Sequence, residues 1–410
     1  MRLINYLLII VLLFSWCIVK GEEGLTLEQA IDIAMKQNPE ILSAKGELNV
    51  SLGKRLQMEA IPDPEIAFSD EGIPMGGISR NGTEREISFG IQQFLEFPGK
   101  RSLRGKIGKY GEEISFFELE RIEIIIKAGV KRAYYKAILS QRTISTLEST
   151  LGLLDEFIDN ANIKYQVGMV PYLDVLRARV EKARIQNQLI EVKKELKVDK
   201  SYLNLLLGRK GDEPLHLLTD ISFIPFEKDF SKIKEEAKRT RPSLYIAALK
   251  LEQANAGLRL SNMSFYPDFS VEFFFPSLRT GAGGVVFGFS IPVYWKKRQK
   301  GLILEAEATK QINLISSEAI ERRIMTQLEN AYSSVKAAEE QVKVFEQKLL
   351  REAEDQLKIG IHNYQYGKID ALNLLDLYRT YTLTKLEYLR SLYFYLVSLA
   401  DLEVAGEDYE

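Results

Sequence analysis

One helical pattern runs from residue 98 to residue 166, and a second runs from residue 296 to residue 360. At 1.5 Å per residue the first alone would be about 100 Å long, far beyond the three or so turns of an ordinary globular helix. Each long pattern ends in a short glycine-centred break and then reverses into another helical pattern. The two breaks are copies. Y-Q-V-G-M-V-P-Y-L-D-V-L at 165–176 returns 199 residues later as Y-Q-Y-G-K-I-D-A-L-N-L-L at 364–375. Tyr165/Tyr364, Gln166/Gln365, Gly168/Gly367, Leu173/Leu372 and Leu176/Leu375 stay in register. The fold must therefore hold two long, internally duplicated helical hairpins, each with a tip at its glycine.

The segments ahead of the long helices are duplicated too. The first repeat is expected over 22–207, a linker over 208–230 and the second repeat over 231–405. A helix over 25–58 opens the first repeat. Thr26 with Glu28 and Gln29 supplies its start, and Leu27, Ala30, Ile31 and Ala34 recur at helical spacing. Asn38-Pro39 interrupts it and Ile61-Pro62-Asp63-Pro64 ends it. Strands follow over 65–70 and 86–94. In the second of these, Ile87, Phe89 and Ile91 alternate with Ser88, Gly90 and Gln92. The intervening 71–84, rich in Gly, Pro, Asn and Ser, reads as a loop. The long helix over 98–166 and a return helix over 172–207, closed by Gly208, complete the unit.

The second repeat keeps this order. Arg241-Pro242 answers Asn38-Pro39, and Tyr266-Pro267-Asp268 answers Ile61-Pro62-Asp63. Strands over 268–275 and 284–292, joined by 276–283, precede a long helix over 296–360 and a return over 371–402. The linker carries Pro214 and Pro225 and is expected to pack on the outside of the helices.

Composition excludes several function classes. The 55 basic and 57 acidic residues leave no basic footprint for nucleic acid. The two histidines, His216 and His362, rule out a multi-histidine metal site, and the single cysteine, Cys17, rules out a disulfide or thiolate metal site within one chain. There is no phosphate-cradling Gly-Lys-Ser/Thr loop, no nucleophile elbow and no recognisable catalytic pair. The chain therefore reads as a non-enzyme, with no catalytic residues, no metal site and no cofactor.

Residues 1–21 read as a signal peptide: Arg2, then a mostly apolar run over 3–19, then Val19-Lys20-Gly21. A run of about 17 residues is at the short limit for a membrane anchor, which is the other reading. Phe14-Ser15-Trp16-Cys17 makes Cys17 a candidate for lipidation, although Trp16 stands where a small residue would be expected. Nothing after residue 21 is long and apolar enough for a membrane helix.

The strands carry Phe269, Val271, Phe273 and Phe275 on one face, and Val285, Phe287, Phe289 and Ile291 likewise. Such faces suit a soluble sandwich or a transmembrane barrel that is apolar toward lipid and polar toward a lumen. A sandwich needs more strands than four, and four cannot close a barrel without unpaired edges in lipid. Copies sharing one barrel meet both constraints, with eight strands from two chains or twelve from three. Along the helices, Ile122, Ile125, Ile126, Gly129, Val130 and Ala133 form a coiled-coil-like seam. An ordinary coiled-coil bundle would explain the helices alone, but not two amphipathic hairpins on an exported chain.

Taken together, Leu25-Thr26-Leu27-Glu28-Gln29 through Asn38-Pro39-Glu40, the Pro-Asp turns at 62–63 and 267–268, the tip V-G-M with L-D-V-L-R-A-R at 167–169 and 173–179, and the duplication resemble the TolC-like outer-membrane efflux protein family (outer-membrane factor) over residues 25–405. The resemblance implies a mixed α and β membrane protein. Four transmembrane β-strands per chain would form a homotrimeric 12-strand β-barrel, continuous with a 12-helix α-barrel. It implies an outer-membrane location in a Gram-negative-type cell, with a large periplasmic part. The role implied is a passive exit duct, coupled through a periplasmic adaptor (membrane-fusion) protein to an inner-membrane RND-type pump.

The family docks its adaptor at the hairpin tips, here Val167, Gly168 and Met169, and Tyr366, Gly367 and Lys368. The second tip lacks the apolar residue after glycine. The family closes its entrance with inward-facing carboxylates, and Asp174 and Asp376 fall on those positions, with Asn373 where relatives often carry Asp. Three copies of Asp376 would make a cation-retaining ring; read alone, Asp174 and Asp376 are solvated helix-face charges. Finally, Q-Q-F-L-E-F-P-G-K-R at 92–101 resembles the heavy-metal (CzcC/CusC-like) branch and implies metal-cation efflux, although Lys100 and Arg101 would serve equally as interfacial anchors. Drug or organic-solute efflux, type I secretion and a soluble periplasmic coiled-coil protein are the alternatives.

Overall fold

The computed structural model describes residues 24–71, 86–218, 221–275 and 283–406. The expectations for residues 1–21, Cys17 included, lie outside the described residues, as do those for 72–85 and 276–282. Helix α1 (Leu27–Gln37) starts at a reciprocal capping box. The Gln29 amide donates to Thr26 Oγ1 at 3.2 Å, and the Thr26 amide donates to Gln29 Oε1 at 2.9 Å. Pro39 then disfavours helical dihedrals at Asn38, which is extended, and α2 (Pro39–Glu59) begins afresh. The same device separates α5 (Phe230–Thr240) from α6 (Pro242–Asn262), across an extended Arg241. Strands β1 (Glu65–Glu71) and β2 (Glu86–Leu95), the long helix α3 (Lys100–Gln166) and its return α4 (Tyr172–Leu206) complete the first half. The second half adds β3 (Phe269–Phe274), β4 (Gly284–Phe289), α7 (Arg298–Val344), a π-helical turn (Phe345–Leu349), α8 (Leu350–Gln365) and α9 (Ala371–Gly406).

Several expected boundaries move. The strand expected over 284–292 ends at Phe289: the Ser290 amide still donates to the Asp268 carbonyl at 2.9 Å, but the Asp268 amide turns to the Ser290 hydroxyl at 3.0 Å and does not return the ladder bond. The long helix expected over 296–360 is broken by the π turn and runs on to Gln365. Gly360 does not terminate it. That glycine sits inside α8, where an added Cβ would lie 2.2 Å from Leu377 Cδ1, so it permits close packing. The first long helix starts at Lys100 rather than residue 98, after Gly99 at φ +101°. The return expected over 371–402 extends to Gly406.

The residues form two compact units, and each draws on both repeats. One comprises Glu40–Glu123 and Ser231–Leu328. It contains a single antiparallel sheet in the order β1-β2-β3-β4, so the two repeats pair directly through β2 and β3. The register sets Ile66 beside Ile91 and Phe273, and Phe269, Val271 and Phe273 beside Phe289, Phe287 and Val285. One face is thus apolar and exposed, with Phe68 at 68% and Phe287 at 75%. The other carries Ser69, Ser88, Gln92, Ser270 and Glu272, with the Ser69 and Ser88 hydroxyls 2.6 Å apart. Within the sheet β1 and β4 each pair on one side only.

The Gln92–Arg101 stretch has a clear structural task. Lys100 is buried and donates to Asp268 Oδ1 at 2.8 Å and to the Tyr266 carbonyl at 2.9 Å. The Phe97 amide also donates to Asp268 Oδ1, and its ring stacks on Tyr266 at 4.6 Å. The Pro267-Asp268 turn of the second repeat therefore locks the strand-to-helix junction of the first. This corrects the reading of Lys100 as a free interfacial anchor, since its charge is spent on Asp268.

The other unit comprises the residues up to Pro39, Ile124–Phe230 and those from Glu329 onward. Along α3 the positions Ile126, Val130, Ala133, Ala137, Ser140, Leu147, Thr150, Leu154, Phe157 and Ala161 are buried. Their steps of four and three, with one double step of seven from Ser140 to Leu147, give a 3.5-residue period, the signature of left-handed coiled-coil packing. Ile125, expected in the seam, is instead 42% exposed. The two buried hydroxyls are satisfied, Ser140 by Asp199 at 2.6 Å and Thr150 by Thr382 at 3.1 Å. The 208–230 segment does pack on these helices. Leu25 and Leu217 form a parallel bridge, the Tyr134 hydroxyl donates to the Leu25 and Leu218 carbonyls, and the Tyr395 hydroxyl donates to Ile224. Among the described residues no helix is long and apolar enough to cross a membrane.

Candidate functional site

Both breaks adopt one backbone solution. Gly168 (φ +75°) and Gly367 (φ +71°) are left-handed, as a glycine after a helix end allows. The Gly168 amide donates to the Tyr165 carbonyl at 2.9 Å and the Met169 amide to Lys164 at 2.8 Å. The Gly367 amide donates to Tyr364 at 3.1 Å and the Lys368 amide to Asn363 at 2.8 Å. These paired bonds are the Schellman arrangement, and they satisfy carbonyls that the helix ends would leave unpaired. A Cβ added at either glycine would meet nothing within 4 Å.

Beyond the turns the copies diverge. At the first tip Val167 is 64% and Met169 74% exposed, with Tyr165, Tyr172 and Leu173 exposed behind them. At the second, Tyr366 is exposed while Tyr364, the copy of Tyr165, is buried. Tyr364 packs edge-on against Phe157 at 5.0 Å within a cluster that includes Leu154, Ala371, Leu374 and Tyr378. Its hydroxyl is buried without a hydrogen-bond partner among the described residues. Burial raises the Tyr364 pKa, and the charge of Asp174 adds to that.

A groove of about 700 Å³ lies between the tips and brings together Met169, Asp174, Tyr364, Lys368 and Asn373. Asp174 is buried, with Arg177 3.6 Å away. Asn373 and Asp376 are exposed, and Asp376 is not among the groove's lining residues.

Sequence reasoning missed three features. Lys164 joins the tips: its ammonium donates to the Tyr364 carbonyl at 2.6 Å and to Gln365 at 3.3 Å, and lies 4.3 Å from the Tyr364 ring. Asp370 caps the return helix α9, accepting from the Asn373 amide at 2.8 Å. Glu181, with a side chain 4% exposed, takes Arg379 at 2.5 Å, and that hydrogen bond raises the Arg379 pKa. The signal available was divergence between the copies, since Lys164 and Asp370 stand opposite Asn363 and Pro171.

A family model described as outer membrane efflux protein matches residues 30–209 and 234–405. The cobalt-zinc-cadmium resistance protein CzcC of Cupriavidus metallidurans is 22% identical over 368 residues, 89% of this chain and 86% of that protein. The toluene efflux pump outer membrane protein TtgF of Pseudomonas putida is 23% identical over 281 residues, 65% of this chain and 58% of its own length. Among solved structures, CusC, described as forming a transmembrane channel, superposes with a TM-score of 0.80 at 18% identity, covering 93% of this chain and 91% of its own.

Proposed function

The chain belongs to the outer membrane efflux protein family, and from that premise we propose that it is the passive outer-membrane exit duct of a tripartite efflux system. The observation that carries this is the sheet: four antiparallel strands, one apolar exposed face, one polar face, and two outer strands paired on one side only. In a bilayer those edges would leave backbone groups unsatisfied at several kcal/mol each. Three chains joined edge to edge would remove every edge and close a 12-strand barrel, with Phe, Val and Ile toward lipid and Ser, Gln and Glu toward the lumen. The helical hairpins of the three copies would then enclose the periplasmic tunnel.

The two tips are the surface offered to the periplasmic adaptor, through which an inner-membrane RND-type pump supplies the energy. The exposed Val167 and Met169 favour the first tip as the stronger contact. Asp174, Asn373 and Asp376 would line the entrance, with Asp376 completing an acidic ring across the trimer. Metal cations are the favoured cargo, supported by the similarity to the cobalt-zinc-cadmium resistance protein CzcC over most of both chains. Organic solutes are the second reading, supported by the shorter match to TtgF.

The direct test is reconstitution of the full chain. Detergent-extracted protein should be a trimer by mass and should conduct in planar bilayers. A soluble monomer without conductance refutes the reading. Deletion in the native host should then sensitise cells to cobalt, zinc or cadmium; sensitisation to organic solvents alone transfers the cargo to the second reading.

A further inference from the structure

We propose that the turn after β4 is a binding site for anionic phospholipid headgroups, an inference that rests on the sheet lying in a membrane. The apolar row of β4 does not stop with the strand. Val285, Phe287, Phe289, Ile291 and Val293 alternate outward, the last three at 66–67% exposure. The row then meets Tyr294 and Trp295, exposed at 81% and 42%. Lys296, Lys297, Arg298 and Lys300 follow at once, and no acidic residue occurs between Pro292 and Leu304. The four cations are exposed, and none has a carboxylate partner among the described residues. Two of them border the indole, with Lys296 Nζ 5.7 Å and Lys300 Nζ 5.8 Å from the Trp295 ring centre.

The turn is a built structure. The Arg298 amide donates to the Tyr294 carbonyl at 3.2 Å and the Lys300 amide to Trp295 at 3.2 Å, so the aromatic pair and the cations are wound into the start of α7. An apolar strand, an aromatic pair and a dense cation cluster in that order form the sequence of environments met on leaving a bilayer: acyl chains, interface, phosphates. Cation clusters of this size beside a membrane element attract anionic lipid in preference to zwitterionic lipid.

The first repeat makes the contrast. At its matching junction two of the three cations are paired within the protein, Lys100 with Asp268 and Arg104 with Glu96, both at 2.8 Å, and Arg101 alone is exposed without a carboxylate partner among the described residues. The same strand-to-helix junction therefore keeps one unpaired cation in the first repeat and four in the second. An anionic headgroup is the complement that a membrane supplies to the second.

Trp295 reports on the site directly. The chain has two tryptophans, Trp16 and Trp295, so a Trp16→Phe background leaves one emitter. That protein is reconstituted in vesicles of phosphatidylethanolamine and phosphatidylglycerol, roughly four parts to one, with bromine on the acyl chains of one lipid or the other. Brominated phosphatidylglycerol should quench Trp295 about threefold more than its one-fifth share of the lipid accounts for, the local enrichment that a roughly fivefold preference gives at that mole fraction. Replacing Lys296, Lys297, Arg298 and Lys300 by Gln together should return quenching to that share. Quenching of the parent in proportion to mole fraction overturns the lipid preference, as does an excess that survives in a correctly assembled quadruple variant. If the variant does not assemble, the comparison of the two lipids in the parent decides alone. If neither brominated lipid quenches Trp295, the membrane reading of the sheet has failed, and this inference with it.

Discussion

Lys164→Met should loosen the second tip more than the first, although Lys164 belongs to the first hairpin. Its ammonium sits on two carbonyls of the last turn of α8, at 2.6 and 3.3 Å, and 4.3 Å from the Tyr364 ring. Hydrogen bonds from a charged donor contribute about 1.5–3 kcal/mol. A cation–π contact at an exposed site adds about 0.5–1 kcal/mol, and a cation at a helix C-terminus about 0.3–1 kcal/mol. The three share one charge and do not add, and Lys164 is half-buried, so about 2 kcal/mol is a fair total. At 1.4 kcal/mol per tenfold, that is roughly a 30-fold shift in local opening. Hydrogen exchange on the reconstituted protein reads it. The Gly367 and Lys368 amides, bonded to the Tyr364 and Asn363 carbonyls, should lose about 30-fold protection, with a smaller loss at Gly168 and Met169. Lys193→Met is the control. Lys193 meets Glu148 at 2.9 Å with both side chains about half exposed, and such pairs contribute about 0–1 kcal/mol. Unchanged protection at Gly367 and Lys368 in Lys164→Met, or an equal loss in the control, refutes the cross-tip tie.

Three further expectations follow from the same geometry. Gly168→Ala should lower stability by about 1–2 kcal/mol, the left-handed strain alone, whereas Gly208→Ala should be far worse in thermal melts; Gly208 shares the conformation at φ +72°, but its Cβ would lie 2.3 Å from the Gln37 carbonyl oxygen. Arg379→Met strands the buried Glu181 carboxylate and should cost about 3–5 kcal/mol, toward the lower end because Arg184 remains 4.0 Å away; adding Glu181→Leu should recover most of the loss in denaturant titrations, and an equal or greater loss in the double variant counts against the pair. Tyr134, Tyr378 and Tyr395 are pushed up to about 12, chiefly by burial, so folding favours the neutral phenol: that contribution is complete below pH 10, fades as pH climbs toward 12, and Tyr378→Phe should flatten the decline of Tm in that window.

Much of the fold was legible because its elements are long or strictly periodic. Alternation in β4 is carried by several residues, so no single substitution hides it, whereas the seam of α3 was legible in part: Ile126, Val130 and Ala133 are buried as expected, and Ile122, Ile125 and Gly129 are not. What escaped were features fixed by a neighbour distant in sequence. The end of β4 depends on Asp268, whose amide turns to the Ser290 hydroxyl. The continuation of α8 through Gly360 depends on the approach of Leu377, and a glycine read alone is as good a stop as a packing notch. The task of Lys100 depends on Asp268, 168 residues away, so the sequence could offer a basic pair but not its partner.

The site shows the same limit more sharply, because there the sequence offered two copies to compare. Identity between them tracks the backbone: both glycines, both Schellman turns and both open surroundings match. Identity does not track environment. Tyr165 is exposed and Tyr364 buried, and Leu176 is 42% exposed while Leu375 is 2%. The differences track environment better. Lys164 opposite Asn363 marks the tie, Met169 opposite Lys368 marks the apolar surface, and Asp174 opposite Asn373 marks the buried charge. A duplicated gene product folds its copies with the same local rules but places them among different neighbours. Substitutions that break the repeat therefore point to what each tip does, and those that keep it point only to how each tip turns.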